Sequence, residues 1–365
     1  MYTLIIAALF LLTTFSAGIC AQVTDSAPTK TEDSAPRTFP VIPIAFSTNE
    51  TGAAIGVMYN QVLNNGSKDR PDNLQAYTYY SSKGLYSLSL KPSFFLNEGD
   101  YHFTGAVFTS YSPSTFWGVG KEAGDSDRDE DFTSETRGFT VAGTARIDGP
   151  YRVGMSLSYN HEKFSDVEPG GLLASGTLEG SSGGEDVGFG LLTEMDSRDS
   201  TFWPTTGSFC KLNAVIHRND VGSDYNYNEY NLDLRTYRSL TTDSLIALRF
   251  ITSGIGGAPP FYALRQLGGS RLLRGLYGGR YRDRWLYAAQ TEYRAHLTGR
   301  FSWTAFAALG NVAEQPEELF DNTPLLTGGC GIRFAVDPEN RVNLRVDIGL
   351  SRHGVAPMVM INEAF

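Results

Sequence analysis

The chain has 365 residues, with 30 lysines and arginines against 40 aspartates and glutamates, for a formal net charge of −10. That length suits one large domain or two ordinary ones, and the acidic balance argues against a nucleic-acid-binding surface, which would be basic. Only 19% of residues are charged, whereas 39 glycines, 19 tyrosines and 22 phenylalanines favour many short strands with Gly-rich turns, as in a sandwich, a propeller or a barrel.

Residues 1–21 carry no charged side chain, Leu4 to Leu12 is a continuous apolar run, and Ala21-Gln22 offers a small-residue cleavage site. This reads as a secretory signal peptide in preference to a short membrane anchor. Ile19 is the wrong size for a lipobox before Cys20. Residues 22–38 are rich in Ser, Thr, Pro and charge and read as a disordered linker with nothing to bury. They leave no room for a separate domain ahead of a 39–365 barrel domain. No later apolar run is long enough for a transmembrane helix.

From Phe39 onward apolar and polar residues alternate with period 2. The first half predicts strands near 40–48, 52–62, 73–81, 84–95, 100–110, 131–147, 150–163 and 185–196. The second half adds 207–218, 224–238, 243–255, 285–298, 300–311, 325–336, 340–351 and 355–365. In 341–351, for example, Val342, Leu344, Val346, Ile348 and Leu350 oppose Asn343, Arg345, Asp347 and Ser351. Alternation alone does not separate a lipid-facing face from a soluble core. About 16 strands is an even number, as single-chain bacterial barrels require. Loop parity is the stronger discriminant. With Asn49-Glu50-Thr51-Gly52 placed outside, the long connections near 112–130, 164–184, 256–284 and 312–324 all fall outside. The short turns at Asp148-Gly149-Pro150, Thr298-Gly299 and Asp337-Pro338-Glu339-Asn340 fall on the periplasmic side, which is the barrel pattern. A transmembrane antiparallel β-barrel is therefore expected.

Several local patterns are weaker. Gly180-Ser181-Ser182-Gly183-Gly184 spells Gly-x-Ser-x-Gly but lacks the strand-to-helix elbow a serine hydrolase needs. The acidic stretch Asp125 to Asp131 misplaces the Gly and Glu of a calcium loop and reads as solvated outer loop. The five histidines show no metal-ligand spacing; His296 reads as a lumen residue. Cys210 and Cys330 alternate against Lys211 and Arg333, so both thiols are expected outward and unpaired. No catalytic residue, metal or cofactor is indicated, and the chain does not read as an enzyme.

The densest feature is the long loop before the strand at 285–298. It holds Gly268-Gly269-Ser270-Arg271-Leu272-Leu273-Arg274-Gly275-Leu276 and then Gly279-Arg280-Tyr281-Arg282-Asp283, and Glu292-Tyr293-Arg294 follows in the strand. A loop this long usually has a function. An arginine folded inward needs acceptors because it cannot shed its proton; Glu292 shares the inward face with Gln290, Arg294 and His296. The chain stops on a strand ending in Phe365.

These residues resemble the BamA/TamA family of the bacterial surface antigen superfamily. Leu273-Arg274-Gly275-Leu276 looks like its lumen-folding loop tip, with Leu276 where an aromatic is usual. Glu292 and Arg294 match the next strand's inward pair, and Asp196-Ser197-Arg198-Asp199 with Pro204 and Gly207 looks like a family connection. Gly329 to Arg333 and Asp347-Ile348-Gly349 match two later strand patterns. The resemblance implies a lumen lock of Arg274, Gly275, Glu292 and Arg294, and a sorting signal at Phe365. It also implies residence as an integral protein of the Gram-negative outer membrane. The partners it implies are outer-membrane lipid and the barrel assembly machinery during insertion; self-association is left open. Two departures stand out. Leu309 precedes Gly310 where the family has an Asp, which removes one expected partner of Arg274, and the family's POTRA domains are absent. Two functions remain open: an assembly or translocation barrel in outer-membrane biogenesis, or a passive pore or structural barrel that kept only the fold.

Overall fold

The computed structural model describes residues 41–48, 50–63, 72–126, 128–201, 203–338, 342–361 and 363–365. The expected signal peptide, the linker and Cys20 lie outside them. The strands are β1 (Val41–Thr48), β2 (Gly52–Leu63), β3 (Asp72–Ser81), β4 (Tyr86–Leu96), β5 (Tyr101–Phe116) and β6 (Glu130–Asp148). Next come β7 (Tyr151–Ser165), β8 (Gly184–Asp196), β9 (Gly207–His217), β10 (Asn226–Thr241) and β11 (Ser244–Ala258). Two short strands, β12 (Arg265–Leu267) and β13 (Tyr281–Asp283), precede β14 (Trp285–Thr298), β15 (Phe301–Ala313), β16 (Leu325–Asp337), β17 (Val342–Ser351) and β18 (Gly354–Ile361).

All but β12 and β13 form one 16-stranded antiparallel sheet in chain order. Alternating burial shows which face is which. On β17, Arg345 and Asp347 are buried, while Val346, Ile348 and Leu350 are 43–51% exposed. Ile55, Val107, Met155, Leu191 and Leu326 are exposed on other strands in the same way. The polar face is thus turned inward and the apolar face outward, the reverse of a soluble sandwich. An apolar belt this extensive on an outer surface calls for an apolar surrounding. Cys210 and Cys330 are both free, on that outward face.

β18 returns beside β1, so the sheet curls into a nearly closed barrel. Among the described residues no ladder register joins these two strands. Each seam strand carries a proline, Pro43 in β1 and Pro357 in β18. Proline has no N–H to donate, which confines it to edges and weakens pairing there.

Strand ends differ most at two places. β5 and β6 run past the expected boundaries and form a tall hairpin registered from Tyr101↔Ala145 to Phe116↔Glu130. The last strand stops at Ile361, four residues short of the expected end. The acidic loop is also not freely solvated. A short helix, Lys121–Asp125, leads into it, and Asp125 accepts a hydrogen bond from the Tyr281 hydroxyl at 2.6 Å and pairs with Arg352 at 3.0 Å.

Candidate functional site

The connection from β11 to β14 folds back into the barrel. β12 and β13 pair as a small hairpin, Arg265↔Asp283 to Leu267↔Tyr281. Leu267, Leu273, Leu276 and Tyr281 pack against Leu286, Ala288, Val312 and Leu325 of the wall. Burial of these apolar side chains, each worth about 1.5–3 kcal/mol, holds the loop inside. Gly269 N–H donates to Leu276 O at 2.9 Å, and Leu276 N–H to Leu273 O at 3.1 Å, closing a tight tip. The tip backbone presses on the wall. Gly275 has φ +113°, and a Cβ there would lie 2.9 Å from Leu350 backbone atoms. Ser351 Oγ donates to Gly275 O at 2.8 Å.

This seating delivers Arg274, 1% exposed, into a ring of charge. Its Nη2 meets Glu292 Oε2 at 2.5 Å and its Nη1 meets Asp347 Oδ2 at 2.8 Å. Its guanidinium lies 3.6 Å from the Phe306 ring centroid, a cation–π contact. Arg294 Nε donates to the other Glu292 oxygen at 2.7 Å. Arg333 Nη1 contacts Asp347 Oδ1 at 2.5 Å, and its Nε contacts Glu363 at 2.9 Å. Arg345 Nη2 donates to Ser270 O at 3.0 Å. Four buried guanidiniums therefore share three carboxylates. Such an array is costly unless paired and bonded, and its value lies in fixing one position for the tip.

The structure brings Arg274, Gly275, Glu292 and Arg294 together, and it changes one expectation. The missing Asp at Leu309 does not leave Arg274 with one acid, because Asp347 on β17 supplies the second carboxylate. His296 is exposed near the rim at one end.

Phe365 is not on the terminal strand. Beyond Ile361 the chain leaves the sheet, and Ala364 and Phe365 are buried with Tyr237, Leu245 and Ala247. Phe365 O accepts from Arg294 Nη2 at 2.9 Å. The inward turn gives Arg294 Nη2 its acceptor. Phe365→Ala should lower stability by about 3 kcal/mol, as for a buried Phe. The check is the urea midpoint of heat-modifiable mobility; a midpoint equal to wild type would refute the packing role.

Nearer the other end, burial alone pushes the Arg282 guanidinium down to about 10. It lies 5.0 Å from the Phe116 ring centroid and 5.9 Å from that of Phe261, and at neutral pH it remains charged.

A nearly closed antiparallel barrel with an apolar exterior and an inner loop pinned by buried ion pairs defines a plugged barrel of the membrane type. The chain belongs to the Omp85 superfamily: the Omp85 superfamily domain matches residues 65–349. Barrels of that superfamily are outer-membrane proteins. Among solved structures, BamA from Haemophilus ducreyi lacking POTRA domains 1–3 is similar, with a TM-score of 0.58 and 14% identity over 87% of this chain and 69% of that one. CdiB from Escherichia coli gives a TM-score of 0.60 and 12% identity over 89% of this chain, and CdiB from Acinetobacter baumannii gives 0.55 and 13% over 88%. This chain spans 63% and 58% of those two CdiB chains. At such identities the likeness concerns the fold alone. No curated protein matches the chain.

Proposed function

We propose that this protein is an integral barrel of the Gram-negative outer membrane that serves assembly or translocation, and whose lumen rests closed by the loop carrying Arg274. The observation that carries the reading is Arg274 itself, fully buried between Glu292 and Asp347. A barrel that served only as scaffold or open pore would have no need to hold a guanidinium there at the cost of its desolvation. The apolar belt supports lipid as its surrounding, and superfamily membership supports insertion by the barrel assembly machinery and work in outer-membrane biogenesis or transport.

The test is single-channel conductance of the reconstituted full chain beside a variant lacking residues 264–283. Low conductance in the full chain and a large increase on deletion are expected. Equal, high conductance in both would favour the passive-pore reading, and absence of the native protein from the outer-membrane fraction would overturn the localisation.

A further inference from the structure

The lumen has a second polar centre, remote from the Arg274 cluster in sequence and built on other strands. A cavity of about 450 Å³ lies between the wall of β5 to β10 and the loop residues Tyr262 and Ala263. Asp186 on β8 accepts from His217 Nδ1 at 2.6 Å, from Ser223 Oγ at 2.9 Å and from the Tyr227 hydroxyl. The other ring nitrogen, Nε2, faces the cavity. Tyr227 stacks on that ring with centroids 4.0 Å apart, which fixes its direction.

His217 Nε2 has no hydrogen-bond partner, although His217 is only 5% exposed. Glu229 Oε1 stands 3.8 Å from it. Two buried acceptors, Asn160 Oδ1 and Asn213 Oδ1, line the same cavity unpartnered. The Asn160 amide is oriented, because its Nδ2 donates to Glu162 Oε1 at 3.1 Å. Glu162 is otherwise held by the neutral hydroxyls of Ser134 and Thr136. Glu229 pairs with Arg265 of the loop at 3.0 Å.

The cavity thus offers two unsatisfied amide oxygens and three carboxylates, Glu162, Asp186 and Glu229, against the Arg265 guanidinium. Buried polar atoms are normally satisfied, so the complementary occupant is rich in donors and positively charged. A primary ammonium supplies three donors and no acceptor. Glu162 on β7 and Glu229 on β10 lie at opposite sides of the cavity, with Asp186 and His217 between them, which suits a linear cation with a charge at each end. A metal ion fits less well: among the described residues no three His, Cys, Asp or Glu side chains are placed to hold one.

We propose that this cavity binds a linear organic polyamine. One ammonium sits on Glu229 and Asn213, and the other on Glu162 and Asn160. The test is calorimetric titration of the purified full-length barrel in detergent with spermidine at constant ionic strength. Saturable one-to-one binding is expected, at least tenfold weaker in Glu162→Gln and Glu229→Gln. Asn160→Ala keeps the net charge and is the gentler variant; it should weaken binding at least threefold, which diffuse attraction to an acidic protein would not do. Folding of each variant is read from heat-modifiable mobility. Non-saturable binding, affinity unchanged in Asn160→Ala, or equal competition by Mg²⁺ would overturn the proposal.

Discussion

Replacing Arg274 with alanine should open the barrel: single-channel conductance rises, and protease cuts within 264–283 while the barrel remains folded. Two charge-assisted hydrogen bonds and a cation–π contact disappear together. Breaking a buried pair by removing one partner costs about 3–5 kcal/mol. The lower end applies here, because Glu292 keeps Arg294 and Asp347 keeps Arg333. A loss of about 3 kcal/mol multiplies the released population roughly 100-fold. Lysine at 274 should be intermediate, since one ammonium does not reproduce the fork that bridges two carboxylates. Glu292→Ala should act in the same direction, and the double variant should cost less than the sum of the two single ones, because both changes remove the Arg274–Glu292 contact. Conductance and loop proteolysis indistinguishable from wild type in both single variants would refute the lock.

A valine at Gly349 should give the same open phenotype without touching a charge. A Cβ at that position would lie 2.6 Å from Gly275 N and 2.7 Å from Arg274 C, both backbone atoms that cannot swing aside. The strand itself tolerates valine, so the tip must withdraw rather than the wall. Loop cleavage by protease should therefore accelerate at least tenfold, with the urea midpoint of the barrel nearly unchanged. Gly328→Ala on β16 is the matched control, because its added carbon would meet only Phe306 O at 3.4 Å. If Gly349→Val protects the loop as well as wild type does, the tip is not held by close approach to β17.

Most of the barrel was legible because period-2 alternation and loop parity are local signals. Residues 285–298, for instance, show both the strand and its inward Glu292 and Arg294. What escaped depends on neighbours across the sheet. Asp347 looked like one of several inward polar residues of its strand; only the curvature that brings β14 and β17 to the same tip makes it a partner of Arg274. Read singly, His217 is one of five scattered histidines. The registers Gly188↔His217 and Tyr227↔His217 place it between Asp186 and Tyr227; an inward His beside an inward glycine on the next strand was the available hint. Phe365 continues an alternating pattern by its letters. Nothing local says that the chain leaves the sheet at Ile361, since that turn is decided by Arg294 and the Tyr237 cluster.

The spacing of the tip's partners along the chain has a consequence for timing. Arg274 reaches Glu292 only 18 residues away, but Asp347 is 73 away. The same loop is tied to Glu50 through Gly278 N–H, 228 residues apart. Contacts of such separation form late, because the intervening chain must be ordered before they contribute. Glu292 is available as soon as β14 is in place, whereas the second carboxylate and Glu50 require a cylinder that has come almost full circle. The tip is therefore expected to reach its full set of partners only after the wall strands around it are in place.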